Sequence, residues 1–207
     1  IKKLSTYDNY KPSGIEWIGY IPNNSDISKM KYESTVSING KNESDDTPVL
    51  SLTKTGVKVK LNRTFGKNAS SYIGHQIVKV GNFVFSPRDY DQTPILSGIC
   101  YDYGCTSNLY MVMDINKDNI PEYINYWFWA LKYKVNYFVN FSQGMRYSFN
   151  GKTFGQIPFI KFTKKNQEKI VEFLDKKTSL IDKKLEILKE RKKLILELEK
   201  SVINQVV

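Results

Sequence analysis

The sequence predicts an α+β fold: a globular domain of mixed strands with short helices over residues 1–160, followed by one long coiled-coil-type α-helix over residues 161–207. Three observations carry this. Residues 163–202 hold neither Gly nor Pro and repeat apolar residues every seven positions. Before them, short apolar runs are punctuated by glycines. Between the two regimes one shorter amphipathic stretch begins at a proline.

In chain order, the strand-like runs are Pro48–Leu52, Gln76–Val80, Asn82–Phe85, Ile95–Ile99 and Leu109–Met113, separated by Gly56, Gly66, Gly74, Gly81, Gly98 and Gly104. A helix is expected from Pro121 to Lys134, where Ile124, Trp127, Phe128 and Leu131 share a face. An aromatic and polar loop follows at residues 140–147. Thr163 stands where an N-cap would open the long helix. Leu174, Ile181, Leu188, Ile195 and Val202 form one row, and Phe173, Leu180, Ile187 and Leu194 a second, one position earlier. Val171 and Leu185 lie on the flank. Together they make a stripe about 140° wide, with lysines and glutamates on the remaining surface. At roughly 1.5 Å per residue the helix is a rod of about 60 Å, which needs a partner helix to cover it.

Composition narrows the function classes. The chain has 207 residues, 41% hydrophobic and 25% charged, with 14 Tyr, 11 Phe and 3 Trp, so it can bury a core and is not a disordered tail. No run reaches the roughly 18 apolar residues of a membrane span, and residues 1–7 lack a signal-peptide stretch. A cytoplasmic protein with no membrane partner is the expectation. Lys and Arg number 31 against 21 Asp and Glu, a net +10 that points toward nucleic acid or another anionic surface. Residues 161–207 carry +5 of it in less than a third of the length.

No catalytic constellation is expected. The lone His75 with Cys100 and Cys105 falls short of a four-ligand zinc site, and the cysteines read as reduced thiols in or beside a strand. Gly151-Lys152-Thr153 ends like a phosphate-binding loop, but Gly144 is two residues too far upstream. The Gly-rich cofactor loop and the Asn/Asp-Pro-Pro-aromatic segment of a methyltransferase are both missing. The nuclease-like Glu197-Leu198-Glu199-Lys200 belongs to the helix surface.

Four segments, in order, carry a family likeness: Tyr10–Pro22 (YKPSGIEWIGYIP), Val49–Leu52, Ile77–Arg88 (IVKVGNFVFSPR), and Ile157-Pro158 followed by Asn166-Gln167 and Ile170–Asp182 (IVEFLDKKTSLID). Together they resemble a target recognition domain and conserved helix of the specificity subunit of Type I restriction–modification enzymes. Tyr20 stands where that family has Glu, Asn23-Asn24-Ser25 replaces a His-Trp, and Asn166-Gln167 replaces Glu-Gln.

The resemblance implies a non-catalytic DNA-recognition subunit. It would read one half of a bipartite site in double-stranded DNA and dock methyltransferase (modification) subunits through its helix. Restriction subunits would join through the complex. S-adenosylmethionine, ATP and Mg would belong to those partners, with no cofactor in this chain. Family members carry two recognition domains and two helices, so one of each implies a natural half-subunit or half of a longer chain. Two copies pairing their helices antiparallel about a two-fold would form a homodimer, able to address half-sites one to two turns of DNA apart at about 34–36 Å per turn. Helix pairing is expected through Val171, Phe173, Leu174, Leu180, Ile181, Leu185, Ile187, Leu188, Leu194, Ile195 and Val202.

DNA contacts are expected from polar loops that can enter a groove. Lys54, Lys58, Lys60, Arg63 and Lys67 form an acid-free basic stretch; Arg88, Asp89, Tyr90 and Gln92 follow a strand end; Ser142, Gln143, Arg146 and Tyr147 form a third group. The helical lysines read as a solvated face, and Trp17, Trp127 and Trp129 as core or interface. The rival class is a protein-interaction module that pairs with a full-length specificity subunit and modulates it without reading DNA itself.

Overall fold

The computed structural model describes residues 9–53, 56–60, 69–88, 97–141 and 150–206. The chain divides into two compact units, Ile1–Gln167 and Glu168–Val207. The first is α+β. Its strands are β1 (Tyr10–Pro12), β2 (Tyr20–Pro22), β3 (Asp26–Lys29), β4 (Ser34–Val36), β5 (Leu50–Thr53), β6 (Gly56–Val59), β7 (Gln76–Val78), β8 (Phe83–Phe85), β9 (Ser97–Ile99), β10 (Gly104–Thr106), β11 (Met111–Ile115) and β12 (Pro158–Lys161). The helices are α1 (Met30–Glu33), α2 (Pro121–Tyr133), a 3-10 turn (Tyr137–Phe141), α3 (Gly151–Gly155) and α4 (Lys164–Val206), which continues through the second unit. No described helix is long and apolar enough to cross a membrane.

An antiparallel sheet in the order β4-β11-β8-β9 organises the first unit, and β1-β2, β3-β12, β5-β6 and β7-β10 are two-stranded antiparallel ladders. β8, Phe-Val-Phe, is the strand whose apolar run is continuous, and it is buried on both faces. Phe83 and Phe85 point one way because they are two residues apart. They meet Phe128 of α2 at ring separations of 5.0 and 5.4 Å. Phe154 of α3 lies 5.4 Å from Phe85 and 5.5 Å from Phe128, and Phe138 is 6.1 Å from Phe128. Val84 points the other way, into a second cluster with Leu50, Val57, Val78, Cys100 and Val112.

Two glycines let the second layer close on the sheet. Gly56 takes a φ of +108°, and a Cβ there would sit 2.9 Å from the Ile99 carbonyl. A Cβ on Gly104 would lie 2.3 Å from the Pro48 carbonyl oxygen, a backbone atom. The Gly151-Lys152-Thr153 run is the first turn of α3: the Asn150 side chain caps it, accepting from the Thr153 N–H at 2.9 Å.

A buried polar network ties α1, the start of α2 and the first turn of α4 together beside the β3–β12 ladder. Gln167, fully buried in the first turn of α4, donates from Nε2 to Asn119 Oδ1 at 3.0 Å and to the Phe162 carbonyl at 2.9 Å. Its Oε1 accepts from the Ile120 N–H at 2.8 Å, at the start of α2, where Ile120 supplies no side-chain cap. Asn119 Nδ2 donates to Glu33 Oε2 at 2.7 Å. Glu33 also accepts from Ser28 Oγ at 2.5 Å and pairs with Lys161 Nζ at 3.0 Å. Burial pushes the Glu33 pKa up, but the bonds from Ser28, Asn119 and Lys161, with the Lys161 charge, outweigh it and hold the carboxyl below its ordinary value.

Gly104→Ala should cost about 1–3 kcal/mol of stability, read from the denaturant midpoint, since the clash is with backbone. Gly151→Ala, whose Cβ meets nothing within 4 Å, should be neutral or slightly stabilising. Because the folded Glu33 pKa is depressed, its stabilisation is full above the unfolded value near 4.5 and is lost as pH falls through the lower folded pKa. Glu33→Gln should therefore flatten the acid limb of a stability–pH curve below about pH 4.5, measured by urea titration at stepped pH.

Candidate nucleic-acid interface

Of the thirteen DNA-contact candidates, Lys58, Lys60 and Arg88 lie among the described residues; Lys54, Arg63, Lys67, Asp89, Tyr90, Gln92, Ser142, Gln143, Arg146 and Tyr147 lie outside them. Lys58 sits on β6 opposite Ser51 and is exposed, while its neighbour Val57 is sunk in the core. Lys60 is half-buried, and its backbone N–H donates to the Val49 carbonyl at 2.8 Å. The hairpin thus fixes one basic edge on a rigid ladder.

Arg88 is exposed three residues past β8, just beyond Pro87, with the Ser86 hydroxyl 3.4 Å from the Arg88 carbonyl. β8 runs antiparallel to β9, and β6 runs parallel to the chain at the Val57–Cys100 bridge. The chain therefore leaves β8 for Arg88 in the direction opposite to that in which β6 leads to Lys58 and Lys60. The described candidates thus form two groups that leave two neighbouring ladders in opposite directions.

The turn that feeds β8 is held by Asn82, which is buried. Its Oδ1 accepts from the Lys79 N–H and from Asn39 Nδ2, each at 2.7 Å, and its Nδ2 donates to Asp114 Oδ1 at 2.6 Å. The Val-Gly-Asn-Phe segment of the sequence motif is therefore a scaffold for the strand that presents Arg88.

A feature that sequence reasoning did not identify is a cleft of about 600 Å³ lined by Tyr10, Glu16, Trp17, Ile18, Gly19, Tyr20 and Lys134. The link between β1 and β2 closes by the Ser13 N–H donating to the Gly19 carbonyl at 2.8 Å. Trp17 stacks on Trp127 at 6.4 Å and tilts against Tyr137 at 5.2 Å. Trp127 Nε1 in turn donates to the Pro158 carbonyl at 2.8 Å. Burial pushes the Tyr137 hydroxyl up to about 12, so it stays protonated. The cleft offers aromatic walls with one acid and one base at its lining. The signal in the sequence is the spacing Tyr10, Trp17, Tyr20; Lys134, from the end of α2, joins them only in the fold.

Cys100 and Cys105 are buried free thiols. The Cys100 thiol donates to the Asp102 carbonyl at 2.9 Å, and burial pushes its pKa up. His75 packs edge-on against Tyr72 at 5.2 Å. Among the described residues no three His, Cys, Asp or Glu side chains gather as a metal site. On α4, nine of the eleven predicted pairing residues are exposed: Phe173, Leu180, Ile181, Leu185, Ile187, Leu188, Leu194, Ile195 and Val202; Val171 and Leu174 are half-buried.

No family model and no curated protein sequence matches the chain. Solved structures do. The crystal structure of the HsdS subunit from Thermoanaerobacter tengcongensis is similar over 84% of this chain with a TM-score of 0.56 at 9% identity. A chain from a structure describing complex assembly and conformational transition of the type I R-M system is similar over the same share, with a TM-score of 0.54 at 13% identity. This chain covers 41% and 42% of those two chains. The fold expected from the motifs is thus the fold observed: mixed strands and short helices leading into one long helix, as in a type I specificity subunit.

Removing the indole that pins the first hairpin should be costly despite its partial exposure. Trp17→Ala should lower stability by about 1–3 kcal/mol and remove the circular-dichroism exciton feature of the stacked indole pair. Retention of that feature in the variant would show that Trp17 is not part of the pair.

Proposed function

We propose that this chain is the sequence-specific DNA-recognition subunit of a type I restriction–modification system, carrying no chemistry of its own. The observation that carries the reading is the specificity-subunit fold over 84% of the chain. The net charge of +10 and the exposed apolar stripe on α4 support it from the side of DNA and of partners respectively. The globular unit reads one half of a bipartite site. The helix pairs antiparallel with that of a second copy and docks methyltransferase subunits, through which restriction subunits join. Two identical domains related by a two-fold read inverted copies, so the target is an interrupted palindrome. S-adenosylmethionine, ATP and Mg belong to the partner subunits.

Co-expression with the methyltransferase subunit of a type I system, followed by mapping of methylated bases on a plasmid, tests the reading. Methyladenine in an interrupted palindrome is expected. Absence of methylation with both proteins soluble and associated would replace it by the interaction module that modulates a full-length specificity subunit. In DNA-binding titrations, Lys58→Ala, Lys60→Ala and Arg88→Ala should each lower the slope of log K against log salt by about 0.9 for every phosphate the variant leaves unneutralised. An unchanged slope in all three would remove them from the interface.

A further inference from the structure

The apolar stripe of α4 is two seams of different chemistry. Residues three and four apart are neighbours on a helix surface. Lys177 is therefore ringed by Phe173, Leu174, Leu180 and Ile181; Lys184 by Leu180, Ile181, Ile187 and Leu188; and Arg191 by Ile187, Leu188, Leu194 and Ile195. The Lys177 ammonium lies over the Phe173 ring at 5.5 Å from its centre. Three cations seven residues apart, all exposed, thus run down the middle of the stripe between its two apolar rows. Among the described residues neither Lys184 nor Arg191 makes an ion pair.

The 3-4 spacing of a coiled-coil seam then sorts the helix. One seam is Val171, Leu174, Thr178, Ile181, Leu185, Leu188, Lys192 and Ile195: apolar but for Thr178, whose hydroxyl is satisfied by the Leu174 carbonyl at 2.9 Å, and Lys192 near its end. The other is Ile170, Phe173, Lys177, Leu180, Lys184, Ile187, Arg191, Leu194 and Leu198, in which apolar and basic residues alternate without a single acid. Two copies joined through this second seam would bury six cations, three from each, with no carboxylate to meet them, and an unpaired buried charge is strongly unfavourable. The first seam carries no such penalty along most of its length and remains for copy-to-copy pairing.

We infer that the Ile170–Leu198 seam docks a helix of a different protein, one that alternates apolar residues with Asp or Glu at seven-residue spacing. Acids at those positions meet Lys177, Lys184 and Arg191 while the apolar rows close around them, and the charged layer fixes register as well as partner choice. This docking chemistry describes the helix's partner in the function proposed above and rests on that reading.

The test uses the full chain and a synthetic helical peptide of about five heptads with Leu at one seam position and Glu at the other. Controls carry Gln or Lys in place of Glu. The Glu peptide should bind at least about tenfold tighter than the Gln peptide and lose that advantage in high salt. The triple variant Lys177→Glu, Lys184→Glu, Arg191→Glu, its helicity checked by circular dichroism, should prefer the Lys peptide instead. Equal affinity for the Glu and Gln peptides, no binding of the Glu peptide, or an unaltered preference in the triple variant would overturn the proposal. So would a changed self-association mass of the triple variant alone, which would put a second copy on this seam. The assay contains neither DNA nor a methyltransferase, so its failure is separable from failure of DNA reading.

Discussion

The amide of Gln167 is the point on which the globular unit depends. A buried primary amide brings two donors and an acceptor that the interior must satisfy. Here the donors reach Asn119 and the Phe162 carbonyl, and the acceptor takes the Ile120 N–H. Glutamate lacks the donors at neutral pH and leucine lacks every polar atom, so glutamate would orphan the Asn119 and Phe162 oxygens and leucine the Ile120 N–H as well. Through Asn119 the amide extends to Glu33, a carboxylate with 1% of its surface exposed that is also held by Ser28 and Lys161. Residues from three distant stretches of the chain, 28–33, 119–120 and 161–167, are thereby committed to one arrangement, and the first turn of α4 is part of the globular unit because it supplies the hub.

Around that commitment the sheet separates two kinds of packing. On one face five phenylalanines from β8, α2, the 3-10 turn and α3 interlock through tilted, edge-on and stacked rings. On the other, short ladders approach closely enough that Gly56 and Gly104 touch neighbouring carbonyls where any side chain would collide. A recognition surface needs such support, because a loop can present a cation usefully only if its two ends are fixed. The β5–β6 hairpin, fastened by Val57 on one side and the Val49–Lys60 bond at its exit, meets that requirement for Lys58.

How much of this was legible in the sequence depended on whether the determining signal was local. Phe83–Phe85 reads as a doubly buried strand from its unbroken apolar run, Pro121 announces α2, and the seven-residue rows announce α4. The strands β3, β4 and β12 are three or four residues long, carry Ser, Lys or Pro, and are strands only because a distant partner pairs with them, as Pro158–Lys161 does with Asp26–Lys29. The helix α3 was hidden because glycine occupies both of its ends and its cap is the side chain of Asn150. At the candidate interface composition picked out basic residues as loop residues, but Lys58 lies on strand β6 instead, and the divergence of Arg88 from Lys58 and Lys60 follows from strand directions that no local pattern encodes. Gln167 was legible as part of a motif; that it is the hub was not, since three of its partners lie five to 48 positions upstream.

The β3–β12 ladder also sets a timetable for the molecule during its own synthesis. β3 leaves the ribosome early, but its partner follows late: Lys161 reaches Glu33 across 128 positions of sequence. At roughly 5–20 residues per second the strand waits on the order of ten seconds with its pairing edge open. An apolar edge left open that long would invite a neighbouring nascent chain. Asp-Ile-Ser-Lys is instead half charged, so the strand that waits longest for its partner among the described ladders carries, in its own side chains, a guard against a wrong one.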